Sequence, residues 1–117
     1  MVTPRIERLQ HQLQQEIANI IHQELKNPGI GFVTVTAVAL SKDMSYAKVF
    51  YSCLGPESDR PRSQEALERS AKFIRELVKK RLRLRVIPSF TFIFDTSIED
   101  SIAMTERLER LKKEQRG

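Results

Sequence analysis

The chain has 117 residues, 40% hydrophobic and 30% charged, with 20 Lys and Arg against 15 Asp and Glu for a formal charge of +5. That length holds one core and excludes two, and the basic balance favours anionic partners, nucleic acid before acidic membrane, without specifying a fold. A single cysteine, Cys53, excludes an internal disulfide and a cysteine cluster for zinc.

Thr3-Pro4 predicts a helix start, a capping hydroxyl followed by proline at the first helical position. Ile6, Leu9, Leu13, Ile17, Ile20 and Leu25 then recur near a helical period, so an amphipathic helix should bury Leu9, Leu13, Ile17 and Ile20. "NPGIG", from Asn27 to Gly31, breaks it. "FVTVTAVAL" and "YAKVFYS" are β-branched and aromatic, and the polar "SKDMS" between them predicts an antiparallel hairpin. Cys53 follows this apolar run and reads as a buried, inert thiol. "GPESDRPRS" reads as a surface loop.

From Ser63 a second helix is expected, with Leu67, Ala71, Ile74, Val78 and Leu82 on one face and Pro88 as its far limit. "SFTFIF" places Phe90, Phe92 and Phe94 on one side of a strand, Thr91 and Ile93 on the other. The phenylalanine side is expected to fill the core rather than stack on bases. Ser97 and Asp100 resemble a cap for a final helix carrying Ile102, Leu108 and Leu111, and residues 112–117 should be frayed. The helical crossover between the second and third strands lets those two lie parallel. The expected fold is therefore α+β: one domain over residues 1–117, with helices on one face of a three-stranded mixed sheet, plus the C-terminal helix. No stretch reads as a signal-peptide core or a membrane span, so a soluble, cytoplasmic monomer without a membrane partner is expected.

"KKRLRLRVIP", from Lys79 to Pro88, carries five cations, and no carboxylate occurs from Leu77 through Phe94. At about 100° per residue, Lys72, Arg75, Lys79 and Arg83 share a helical stripe, which Lys80, Arg81 and Arg85 extend around the helix end. The Arg-Leu alternation suggests an extended exit with leucines inward and arginines outward. A helix C-terminus accounts for one or two cations through its dipole, at about 0.3–1 kcal/mol each. Seven with so few intervening acids point to phosphate binding.

With these residues in view, the chain resembles the ribosome-binding factor A family. The resemblance rests on Arg5-Ile6, "NPGIG", "VTVTAVALSKDMSYAKVFYS" and "FIRELVKKRLRLRVIPSFTFIFDTSIED", and covers nearly the whole chain. It implies a KH-like fold of type II, ordered α-β-β-α-α-β, without the GxxG loop that clamps single strands in other KH domains. Gly29-Ile30-Gly31 has neither that spacing nor that place. It also implies a kinked helix pair, usually with an Ala-x-Gly step; the matching step here is Ser70-Ala71-Lys72, with lysine for glycine. It implies binding to the free 30S subunit and its 16S rRNA, and help in late maturation including 5′-end processing, above all in the cold. No catalysis, cofactor or metal belongs to that role. The residues carried over as rRNA contacts are Lys72, Arg75, Lys79, Lys80, Arg81, Arg83 and Arg85, with Arg5 and Arg8 as further candidates.

Two other functions are compatible with single features. The charge alone would suit a general RNA- or DNA-binding module. Asp95, Glu99 and Asp100 could be imagined as a Mg²⁺ site of a nuclease, but turn punctuation and helix capping explain them better. Asp43 reads likewise as turn punctuation, and His11 and His22 as solvated positions outside the apolar stripe of the first helix.

Overall fold

The structure, a computed structural model, describes residues 3–25, 30, 32–97, 107, 110 and 111. Helix α1 spans Pro4–Gln23, and Thr3 caps it as its sequence predicts, Oγ1 accepting from the Ile6 amide at 3.2 Å. Its buried face is Ile6, Leu13, Ile17, Ile20 and Ile21. Leu9, expected in that set, is only half-buried, because the surface above it is open.

Strands β1 (Phe32–Leu40) and β2 (Tyr46–Leu54) pair antiparallel, and β2 pairs parallel with β3 (Ser89–Phe94), giving the order β1-β2-β3. This is the mixed sheet that the crossover requires. Ala47, Val49 and Tyr51 alternate inward on β2. Phe92 is buried, with Phe90 and Phe94 packed at the edge of the core, so the phenylalanine stripe faces the helices. A bulge at Thr36 interrupts β1, and the Thr36 hydroxyl donates to Asp95 Oδ2 at 2.6 Å. Glutamines of α1 supply partners along β1: Gln14 Nε2 donates to Thr36 O at 3.3 Å, and Gln10 Oε1 accepts from the Leu40 amide at 3.0 Å. Both satisfy backbone groups on an edge strand that would otherwise be left open.

A 3₁₀ turn over Glu57–Asp59 leads into helix α2, Arg60–Leu82. The helix thus begins three residues before the expected Ser63. Pro61 sits in its first turn, where a missing N–H costs no hydrogen bond, so "RPR", from Arg60 to Arg62, joins the helix instead of the loop. Ser63 is buried, and its hydroxyl donates to Ile30 O at 3.2 Å. Leu67, Ile74 and Val78 are fully buried; Ala71 and Leu82 pack at the margin. The helix runs unbroken through Ser70-Ala71-Lys72. Where the resemblance implies two helices, this chain has the 3₁₀ turn and one 23-residue helix. Lysine is a good helix former and glycine costs about 1 kcal/mol more, so nothing at Lys72 asks the helix to stop.

Both helices pack on one face of the sheet and enclose the core. Among the described residues no helix is long and apolar enough to cross a membrane. Residues 27–29 and 31 of the break, Glu99, Asp100, Ile102, Leu108 and residues 112–117 lie outside the described residues, and Leu111 is exposed.

Candidate nucleic-acid interface

The basic stretch is where α2 ends. Arg83 follows the last helical residue in the left-handed conformation, φ 53° and ψ 43°, and the amides of Arg83 and Leu84 both turn back to the Lys79 carbonyl. Glycine is the usual residue at such a cap. Leu82 and Leu84 pack against the core, while Arg83 and Arg85 are exposed, the alternation that the sequence suggested. The alternation then slips by one. The chain bends at Arg85 and Val86, Ile87 takes the inward place, and Val86 is left 79% exposed.

Two of the arginines expected at phosphate are engaged within the protein. Arg75 Nε donates to Pro88 O at 3.1 Å and its Nη2 to Ile87 O at 3.0 Å. Arg81 bridges α2 to α1, with Nη2 at 2.9 Å from Glu24 Oε1 and Nη1 at 3.6 Å from Glu16 Oε2, leaving its side chain 32% exposed. Lys72, Lys79, Lys80, Arg83 and Arg85 are exposed, and no carboxylate among the described residues engages them. The free charge of the stretch is therefore concentrated at the helix end and in the exit.

Arg5 and Arg8 are exposed on the first turns of α1. Arg5 comes to the same place as Arg85: with Leu9, with Asp43 and Met44 of the β1–β2 loop, and with the exit as far as Pro88, they line a cleft of about 380 Å³. The loop that builds one wall is tightly held. Asp43 Oδ1 accepts from the Ser45 hydroxyl at 2.7 Å, the Ser41 hydroxyl at 2.7 Å and the Ser45 amide at 3.1 Å. These bonds, the Ser45 hydroxyl foremost, lower the Asp43 carboxyl to a pKa of about 2. Asp43 is turn punctuation, as expected, and also a permanent negative charge at the cleft. Met44 has φ 61°.

Asp95, one of the three acids a Mg²⁺ site would draw on, has structural work. Asp95 accepts from Thr36 and, at 2.9 Å, from the Ser97 amide, which hold its carboxyl below the ordinary range; Glu99 and Asp100 lie outside the described residues. His11 and His22 are exposed. Cys53 is half-buried, and desolvation pushes its thiol up, away from reactivity.

Sequence reasoning missed three residues here. Phe73 is 48% exposed on α2; its place off the apolar stripe was the available signal. Val86 escaped because the bend that exposes it leaves no mark on the alternation. Met44 carries a positive φ that a methionine does not announce.

The family model for ribosome-binding factor A matches residues 5–108. Among curated relatives, the chain is 44% identical over 115 residues to the ribosome-binding factor A of Desulfitobacterium hafniense, covering 98% of this chain and 92% of that protein. It is 36% identical to that of Thiobacillus denitrificans over 106 residues, covering 91% and 86%. The crystal structure of ribosome-binding factor A from Thermus thermophilus superposes with a TM-score of 0.66 at 31% identity, covering 75% of this chain and 93% of that one. A homology model of the Thermus protein, fitted into the cryo-EM map of its complex with the 30S, gives a TM-score of 0.64 at 30% identity, covering 76% and 93%.

Proposed function

The chain belongs to the ribosome-binding factor A family, and on that premise we propose that it binds the free 30S subunit through 16S rRNA and promotes late maturation, including 5′-end processing. It does so in the cytoplasm, as a monomer and without catalysis, and its contribution is largest in the cold. The observation that carries this reading is the cluster of exposed, carboxylate-free cations at the end of α2: Lys79, Lys80, Arg83 and Arg85, continued along the helix by Lys72 and beside the exit by Arg5, with Arg8 exposed on the same helix as Arg5. Arginine in an exposed exit can donate two parallel hydrogen bonds to one phosphate. Arg75 and Arg81 support the surface from within, one fixing the exit and the other fixing α2 on α1.

Titration onto free 30S subunits, 70S ribosomes and duplex DNA across a salt series tests it. Free subunits should bind tightest. The Lys79→Ala, Lys80→Ala double variant should weaken that binding and flatten the log–log salt slope by about 1.4–1.8, because each lost phosphate contact removes about 0.7–0.9. Equal affinity for duplex DNA would replace the reading with a general nucleic-acid-binding module. RNA cleavage dependent on Mg²⁺ would replace it with a nuclease.

A further inference from the structure

The cleft between α1, the β1–β2 loop and the α2–β3 exit has a composition that phosphate binding alone does not require. Its arginines, Arg5 and Arg85, stand beside apolar groups, Met44, Leu84 and Val86, and one carboxylate, Asp43. Val86 is 79% exposed between Arg85 and the buried Ile87, an apolar side chain without a core to fill. Two non-glycine residues among those described have positive φ, and both belong to this place: Met44 lines the cleft and Arg83 turns the chain into it. Backbone held in a sparsely populated region persists only where its surroundings fix it, and such residues gather at binding sites. The surroundings do fix it here, since Asp43 ties the loop to Ser41 and Ser45 while Arg75 pins the exit at Ile87 and Pro88.

We propose that this cleft holds one unstacked nucleotide of single-stranded RNA, with the base against Met44, Leu84 and Val86, the flanking phosphates on Arg5 and Arg85, and Asp43 selecting bases that carry an exocyclic amino group. The inference rests on the rRNA-binding reading above and names the part of the RNA that this surface takes. A volume of about 380 Å³ lies within the range of sites that bury small molecules. Sequence-selective RNA readers splay single-stranded bases onto side chains and bond their Watson–Crick edges, which a duplex conceals. The cations that continue from the cleft, Arg83, Lys79 and Lys80, offer the adjoining backbone a track.

The selection follows from how Asp43 is used. Its hydrogen bonds from Ser41 and Ser45 end on Oδ1, so Oδ2 remains to accept from a ligand. A carboxylate oxygen facing the 4-position accepts from the N4 amino group of cytosine and meets only another acceptor, O4, on uracil, whose single Watson–Crick donor, N3–H, lies at the centre of that edge and must be reached by a shift of the base. The group stays ionised from pH 5 to 8, so the preference should not change across that range.

The test uses the full chain with oligocytidine and oligouridine of equal length, a blunt RNA duplex and free 30S subunits, following the methyl resonances of Met44, Leu84 and Val86. Oligocytidine should bind roughly 2- to 12-fold tighter than oligouridine, the worth of one net hydrogen bond, and should shift those methyls, whereas the duplex should not. Asp43→Asn keeps an oxygen for the serines and presents a donor in place of Oδ2, so it should abolish or invert the preference, with at most a modest fall in melting temperature because a neutral oxygen holds Ser41 and Ser45 less strongly than a carboxylate. Equal affinity for the two oligomers overturns the proposal. So does oligomer binding that shifts the amides of Lys79 and Lys80 but leaves the three methyls unmoved, a result that preserves the rRNA-binding reading. Failure to bind either subunits or RNA removes that reading and this inference together.

Discussion

Arg75 fastens α2 to Pro88, its Nε donating to the Pro88 carbonyl at 3.1 Å while Nη2 reaches the carbonyl of Ile87 at 3.0 Å. Proline has no N–H of its own, and the chain here has left the helix but not yet joined the sheet, so these carbonyls have no ladder partner. One planar guanidinium satisfies both, and it aims the chain so that Ser89 can donate to Ser45 O at 3.0 Å and start β3 beside β2. A cation on the stripe of the basic face thus organises the exit on which Arg85 and Val86 stand.

Removing this clamp should cost stability before it costs binding. Arg75→Met keeps the aliphatic stem and deletes the donors, leaving two carbonyls beside buried residues unpaired, for a loss of about 1–3 kcal/mol. Arg75→Lys should recover only part, since an ammonium cannot fork between them. Urea unfolding measures both. A midpoint unchanged in Arg75→Met would return Arg75 to the set of free cations.

The core of α1 gives a graded expectation. Leu13 is fully buried and Leu9 half-buried at the cleft. Leu13→Ala should destabilise by about 2–5 kcal/mol, and Leu9→Ala by distinctly less, because less surface leaves the core and water can fill the gap. Equal losses in chemical denaturation would mean that the cleft is closed in solution.

The fold was largely legible because its signals are local: the Thr3-Pro4 cap, the alternation of Phe90, Phe92 and Phe94, and a crossover long enough for parallel strands. The site was legible as a charge and illegible as an arrangement. Helical spacing puts Arg75 and Lys79 on one stripe, yet the carbonyls that claim Arg75 are 12 and 13 residues away and the Glu24 that claims Arg81 is 57 away. Periodicity cannot distinguish a cation facing water from one tied to a remote partner. The cleft likewise joins three segments that only the fold brings together, and the left-handed turns at Met44 and Arg83 use residues that give no sign of them.

Tyr51 predicts an alkaline limit. It is buried, its hydroxyl donates to Gln64 Oε1, and desolvation raises its pKa from 10.0 to about 12. The sign follows: between those values the unfolded chain releases the phenol proton while the folded chain keeps it, so stability intact below pH 10 falls as pH rises toward 12. Tyr51→Phe should lower stability at neutral pH, leaving Gln64 without this donor, and should shrink the decline from pH 10 to 12. Parallel pH profiles for the two proteins would show that Tyr51 does not ionise out of register with the unfolded state.

Arg83 separates the two roles of the basic stretch at a single position. Its left-handed φ of 53° costs an L-residue about 1–2 kcal/mol, and glycine removes that cost at an entropic penalty of roughly 0.5–1 kcal/mol in the unfolded chain. Arg83→Gly should therefore stabilise by about 0.5–1 kcal/mol. Arg83→Ala keeps the strain and should leave stability near wild type, since Arg83 is exposed and makes no ion pair among the described residues. Both variants delete the same cation, so both should weaken subunit binding and lower the salt slope by about 0.7–0.9. Thermal melts paired with salt titrations read the two effects independently. Equal melting temperatures for the glycine and alanine variants would refute the left-handed cap, and an unchanged salt slope in both would move the phosphate contacts away from Arg83 to Lys79, Lys80 and Arg85.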